Sequence, residues 1–207
     1  MPAALLVIDV QQGFDDPYWG ERNNPGCEAN IAALVAAFRQ AGKAVIHVQH
    51  NSVEPQSPLR PGQPGNDFKA EALPLAGEKV FGKTVNSAFI GTELEKYLRE
   101  QGIDELVICG LTTDHCVSTS TRMSGNLGFN TYLVSDATAT FNRKGIDGRN
   151  WPAEEIHQSA LASLNGEFAQ VLSTEAVLAR NLNCFEAAPI CNESLYTAGG
   201  GDERGFS

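Results

Sequence analysis

Residues 105–136 read ELVICGLTTDHCVSTSTRMSGNLGFNTYLVSD, and the reading of this stretch decides the fold. Its ends, ELVICGL (105–111) and TYLVSD (131–136), are short apolar runs of strand length. Between them DHCVSTSTRMSGNLG has helical length, with Asp114 placed to cap its start and Gly128 to close it. A strand, a helix and a strand in this order imply a right-handed crossover joining parallel strands of one sheet.

The same alternation runs outward from this unit. AALLVID (3–9), AVIHVQ (44–49) and FAQVLS (168–173) read as further strands, and EKVF (78–81) as a short one. NIAALVAAFRQAG places Ile31, Leu34, Val35 and Phe38 on one helical face and ends at Gly42. TELEKYLREQG carries a capping box from Thr92 to Glu95 and ends at Gly102. AEEIHQSALASLNG and TEAVLARNL supply two more helices. The expected fold is α/β, a Rossmann-like three-layer αβα arrangement with a mostly parallel six-stranded sheet. One domain is expected over residues 1–182. The Gly-rich tail 183–207 is expected to be peripheral or to reach a neighbouring subunit.

Residues 50–75 hold prolines at 55, 58, 61, 64 and 74 and read as an ordered lid or partner-contacting loop. The net charge of −10, without a basic stripe, disfavours nucleic acid and anionic membrane surfaces as partners. No apolar run approaches the ~20 residues of a membrane span. The N-terminal MPAALLVIDVQQGF lacks a basic leader and carries Asp9 in its apolar run, unlike a secretory signal. Five cysteines without C-x-x-C spacing argue against a disulfide scaffold or a thiolate zinc site, and for a reducing cytoplasm.

GEKVFGKT (77–84) matches the phosphate-loop pattern G-x-x-x-x-G-K-[ST]. A phosphate loop needs a strand before it and a helix opening at the Lys-Thr pair. Here Pro74 interrupts the upstream segment, and the nearest helix start is Thr92, so a nucleotide is not expected. Lys83 needs another role.

In a parallel sheet, functional groups gather at the carboxyl ends of strands. Asp9 ends the first strand, Lys83 follows the short EKVF strand, and Cys116 lies in the first turn after ELVICGL. A helix N-terminus and a nearby ammonium stabilise a thiolate, and a carboxylate in reach can take its proton. His115 points about 100° away from Cys116 around a helix. His47 and His157 read as structural, whereas His50, at a strand end, is a candidate to line the pocket. Phe14, Trp19, Phe89 and Phe141 are candidate pocket walls, and Asn86 and Ser87 read as turn residues.

LLVIDVQQGF, GEKVFGKTVNSAFIGTELEKYL and LVICGLTTDHCVSTSTRMSGNLGFNTYLVSDATATF, in this order, resemble the isochorismatase-like cysteine hydrolase superfamily over about residues 3–180. The resemblance implies a catalytic Asp9–Lys83–Cys116 triad, with Cys116 attacking a carboxamide and Asp9 acting as base and acid. It also implies a cis peptide bond at Leu111–Thr112, and an oxyanion hole from the backbone N–H groups of Thr112 and Cys116. No cofactor is implied, and a homodimer or higher homo-oligomer is.

The D-x-H metal motif of nicotinamidases is absent from HVQHNSVEP, so no metal is assigned. The expected substrate is a small amide or ureide, because vinyl-ether hydrolases of the group typically lack the cysteine. Two alternatives stay open: vinyl-ether hydrolysis with Asp9 as acid, and a non-catalytic binding or redox-sensing domain.

Overall fold

The computed structural model describes residues 3–180; the expectation for the 183–207 tail falls outside them. Six strands form one wholly parallel sheet. They are β1 (Ala3–Ile8), β2 (Ala44–His50), β3 (Lys79–Lys83), β4 (Glu105–Leu111), β5 (Asn130–Ala139) and, after a short hairpin of β6 (Arg143–Lys144) and β7 (Asn150–Trp151), β8 (Gln170–Leu172). The spatial order is β3-β2-β1-β4-β5-β8. The chain therefore builds outward from β1 in one direction and then, from β4, in the other. The crevice between β1 and β4 is where such folds place their ligands.

Strand β1 shows why both faces are covered. Ala3, Leu5 and Val7 join one buried apolar cluster, and Ala4, Leu6 and Ile8 join the other. A strand whose successive side chains both need burial can lie only inside a three-layer sandwich. Helix α1 (Cys27–Gln40) packs on the first face through Cys27, Ile31, Leu34, Val35 and Phe38, a face spaced three and four residues apart. It ends as expected at Gly42, where Lys43 N–H reaches back to the Phe38 carbonyl at 2.9 Å.

Two local expectations are overturned. Helix α2 (Leu94–Glu100) starts after Glu93, and its start has no side-chain cap. Thr92 Oγ1 instead donates to the Ala88 carbonyl at 2.6 Å and accepts from Leu94 N–H at 3.3 Å. The hydroxyl closes the preceding turn, so the Thr92–Glu95 capping box is not formed. Asp114 is likewise not a cap. It lies inside a π-helical turn, Thr113–Val117, that precedes helix α3 (Ser118–Asn126). Its carboxylate binds Arg143 at 2.8 Å and the Thr140 hydroxyl, a stronger demand than one backbone amide. Helices α4 (Ala153–Leu164) and α5 (Thr174–Ala179) complete the layers.

Small residues let α3 lie close to the sheet, as expected. Ser118, Ser120, Thr121 and Ser124 are buried, and the hydroxyls of Ser124 on α3 and Thr131 on β5 lie 2.6 Å apart. The 50–75 segment is ordered against its own domain. Asn66 donates to the Leu59 carbonyl at 2.9 Å and the His50 carbonyl at 3.0 Å, and Gln49 donates to the Asn66 carbonyl at 2.9 Å. No helix among the described residues is long and apolar enough to cross a membrane.

Candidate active site

Each side chain of the site arrives from the carboxyl end of a different strand. Asp9 follows β1 in a left-handed conformation, φ 52°. Its N–H donates to the Val48 carbonyl at 2.9 Å, and its own carbonyl accepts from Gln11 N–H at 2.9 Å. A non-glycine residue held there costs about 1–3 kcal/mol, so the surrounding structure must impose it. The neighbouring strand makes room. Gly110 in β4 sits at φ 123°, and a Cβ there would stand 2.0 Å from the Ile8 carbonyl oxygen.

Beyond β4 the peptide bond Leu111–Thr112 is cis, as the resemblance implies. The Thr112 carbonyl then accepts from His115 at 3.1 Å and from Val117 at 3.2 Å, the amides on either side of Cys116. Flanking ties hold this turn: Thr113 Oγ1 lies 2.9 Å from His157 Nδ1, and Asp114 binds Arg143. His157 is therefore structural, as expected. His47 is too, buried with Nε2 at 2.9 Å from Glu78. His115 is half exposed and lies 3.5 Å from Asp114, facing away from the cluster.

Lys83 closes the site from the end of β3. Its Nζ lies 2.6 Å from Asp9 Oδ2, 3.0 Å from His50 Nδ1 and 3.2 Å from Cys116 Sγ. An ammonium has three protons to donate and no lone pair. All three are used, and His50 must accept through Nδ1, which leaves its proton on Nε2. Asp9 is fully buried, Lys83 2% exposed and Cys116 8% exposed. The Cys116 thiol is within hydrogen-bonding reach of the Asp9 carboxylate as well.

Burial works against the Lys83 ammonium, yet the charges of Asp9 and Cys116 outweigh it and raise its pKa. For His50, burial and then the Lys83 charge lower the pKa, keeping the imidazole neutral. Burial and then the Asp9 charge push the Cys116 thiol well up, with Lys83 only partly opposing. This direction runs against the thiolate stabilisation expected from a helix N-terminus and a nearby ammonium.

The phosphate-loop match dissolves in the same geometry. Lys83 is the last residue of a strand and is buried in a cluster with a carboxylate, and the next helix begins only at Leu94. That is not a cradle for phosphate.

Two residues matter more here than the sequence suggested. The Asn86 Oδ1 atom lies 3.7 Å from Cys116 Sγ, within reach of the thiol proton, and Asn86 is exposed at the mouth of the site. Gln11, fully buried, accepts from His50 N–H at 2.9 Å and donates to the His50 carbonyl at 3.1 Å, fixing the strand end that carries the imidazole. A glutamine two residues past a strand-end aspartate was the available signal.

The aromatic candidates divide. Phe14, Trp19 and Phe141 stack on one another, with centroids 5.0–6.1 Å apart, and pack with the apolar cluster that excludes Cys116. Phe89 packs with the cluster that contains Cys116, stacked on Phe129 at 6.1 Å. All four have packing roles. Clefts of about 540 and 890 Å³ open beside Gln12 and Asp15, and neither is lined by Asp9, Lys83 or Cys116.

A doubly wound parallel sheet with a buried carboxylate, ammonium and thiol at its switch point belongs among the α/β hydrolytic enzymes. The Isochorismatase domain model matches residues 3–176, and the chain belongs to the isochorismatase family of hydrolases. It is 48% identical over 175 residues to the isochorismatase family protein YrdC of Bacillus subtilis (strain 168), covering 84% of this chain and 94% of that one. It is 31% identical over 189 residues to the maleamate amidohydrolase of Pseudomonas putida, covering 83% of each. A crystal structure of an isochorismatase-family protein from Chromobacterium violaceum superposes with a TM-score of 0.82 at 48% identity, covering 86% of this chain and 92% of that one. The family thus includes amidohydrolases among the relatives of this chain.

Proposed function

We propose that the protein is a cysteine amidohydrolase that cleaves the C–N bond of a small amide or ureide through an acyl-thioester on Cys116. One observation carries the reading: the Lys83 ammonium bridges Asp9 at 2.6 Å and Cys116 at 3.2 Å, in a family with amidohydrolase relatives. With burial and the Asp9 charge holding the thiol's pKa up, attack needs a base, and the Asp9 carboxylate within 4.8 Å of Sγ supplies one.

The electrons and protons then balance. As Sγ bonds to the carbonyl carbon, its proton passes to Asp9 and the charge moves to the carbonyl oxygen. The backbone N–H groups of Thr112 and Cys116 stabilise that oxyanion. Collapse breaks the C–N bond, and Asp9 returns the proton to the leaving nitrogen. Water then attacks the thioester, giving a proton to Asp9; the C–S bond breaks, the acid product leaves, and Asp9 passes that proton to the departing sulfur to restore the thiol. Lys83 stays charged throughout and offsets the carboxylate.

Near-complete burial of Sγ favours a small substrate, and exposed Asn86 stands where it enters. Cys27, Cys109 and Cys116 are all free thiols, which suits a reducing cytoplasm as the place of action. The test is intact-mass trapping of an acyl adduct with a panel of small amides and ureides, alongside detection of released ammonia or amine. The adduct and turnover are expected in the wild type and absent in Cys116→Ala. Equal turnover by that variant refutes the proposal.

A further inference from the structure

The three acceptors around Lys83 are a carboxylate, an imidazole and a thiol, which together form a ligand set for a borderline-soft divalent cation. One oxygen of Asp9, Nδ1 or Nε2 of His50 and Sγ of Cys116 all lie within 4.8 Å of one another. Ligands of tetrahedral zinc stand roughly 3.5 Å apart, given bonds of about 2.0–2.3 Å. The cluster is thus a modest contraction from a coordination shell, and its centre already holds a cation. The Nζ atom sits 2.6, 3.0 and 3.2 Å from the three groups.

The proton that metal binding would displace is in place too: the Cys116 thiol hydrogen-bonds with the fully buried Asp9 carboxylate, so its release frees both groups to ligate. His50 also meets the requirement for a ligand, since Nδ1 already presents its lone pair to a cation.

We propose that Asp9, His50 and Cys116 form a latent site for a thiophilic divalent cation, Zn2+ or Cd2+, whose place in the resting protein is taken by the Lys83 ammonium. Binding forms bonds from the metal to a carboxylate oxygen, to Nδ1 and to Sγ, releases the thiol proton to solvent, and leaves a fourth position to water. No electron changes hands. Two cations cannot share the centre, so Lys83 limits metal uptake in the wild type, and an ion that does enter occupies the nucleophile. This goes beyond the hydrolase reading and does not depend on it.

The experiment is a Cd2+ titration of metal-free protein, followed by the ultraviolet cadmium–thiolate charge-transfer band. Lys83→Ala is expected to bind one Cd2+ at least about 100-fold more tightly than the wild type, because a unit positive charge is removed from the centre. In the Lys83→Ala background, Cys116→Ser should abolish the band and His50→Ala should weaken binding at least about tenfold. Lys83→Ala binding no more tightly than the wild type overturns the proposal, as does a band that survives Cys116→Ser. Should Lys83→Ala not fold, the wild type decides through alkylation of Cys116 by iodoacetamide, read by peptide mass. Slowing by Zn2+ supports the site, and an unchanged rate at saturating Zn2+ overturns it. Neither readout requires amide turnover, so failure here and failure of the hydrolase reading are separate results.

Discussion

His50 and Lys83 are register partners on β2 and β3, and the lysine Nζ lies 3.0 Å from the histidine Nδ1. Adjacent parallel strands put such partners side by side on one face, so the two side chains rise together beside Asp9. The imidazole serves as the third acceptor of a cation that also holds Asp9 and Cys116. Its neutrality is part of that fit, since a protonated ring would put a second positive charge 3.0 Å away.

The pH dependence of turnover follows. Burial and the Lys83 charge hold His50 below its ordinary value of 6.5, with Asp9 partly opposing. The imidazole is neutral above its lowered pKa and gains a proton as pH falls through it, which disrupts the Lys83 contacts. Turnover of a suitable amide is expected to fall on the acid side below about pH 6.5. His50→Gln should lower kcat about 10–100-fold, with KM changed far less, and should remove this limb. His50→Phe, with no acceptor, should lose more. An unaltered acid limb in His50→Gln assigns it to another group.

Lys83 and Asp9 are coupled by burial. Lys83→Met leaves a buried carboxylate without its counter-ion and should cost about 3–5 kcal/mol in urea unfolding. Adding Asp9→Asn should restore at least half of that loss, because the amide removes the stranded charge. The double-mutant cycle measures the coupling. All three variants should lose about 10³-fold or more in turnover.

Gly110→Ala tests the approach of β4 to β1. The added Cβ meets the Ile8 carbonyl oxygen at 2.0 Å, at φ 123°, with no flexible side chain to yield. Loss of stability on the order of 3 kcal/mol or more is expected, from overpacking plus backbone strain. Turnover should fall as well, since Asp9 follows Ile8 directly.

Acid should destabilise the protein in two stages. Burial lowers the pKa values of His47, His50 and His157, so below about pH 6.5 the unfolded chain binds protons that the native state refuses. Stability therefore begins to fall there. Hydrogen bonds from Arg39 hold Glu78 at about 2; burial opposes the same shift in Glu28, but Arg22 and Lys69 hold it also at about 2. Their contribution is full above the ordinary value of 4.5 and is lost as pH falls towards 2. Urea midpoints at pH 7.5, 5.5 and 3.5 check both stages, and a flat profile from 7.5 to 5.5 removes the first.

Much of the site was legible because its logic is one-dimensional. Asp9, Lys83 and Cys116 each stand at or just beyond a strand end, and in a parallel sheet those ends share one edge. The Thr92 capping box and the Asp114 cap were not legible. Both residues match a local pattern, yet Thr92 found the Ala88 carbonyl and Asp114 found Arg143 and Thr140, two of these partners lying outside the local segment. Asn86 read as a turn residue because nothing in VNSAF reveals that its carbonyl oxygen ends 3.7 Å from a thiol.

The sequence by itself determined the parallel α/β class and singled out Asp9, Lys83 and Cys116, while some strand ends moved, β3 running on to Lys83 and β5 to Ala139. Alternation of apolar runs and helical faces is a property of the chain, set by which side chains must leave water. Only the tertiary structure decided that β1 lies between β2 and β4, with β3 beyond β2, and so that Lys83 meets Asp9, His50 and Cys116 at once. Strand order and register come from packing between distant segments, and no local pattern encodes the few ångströms over which an ammonium selects its three partners.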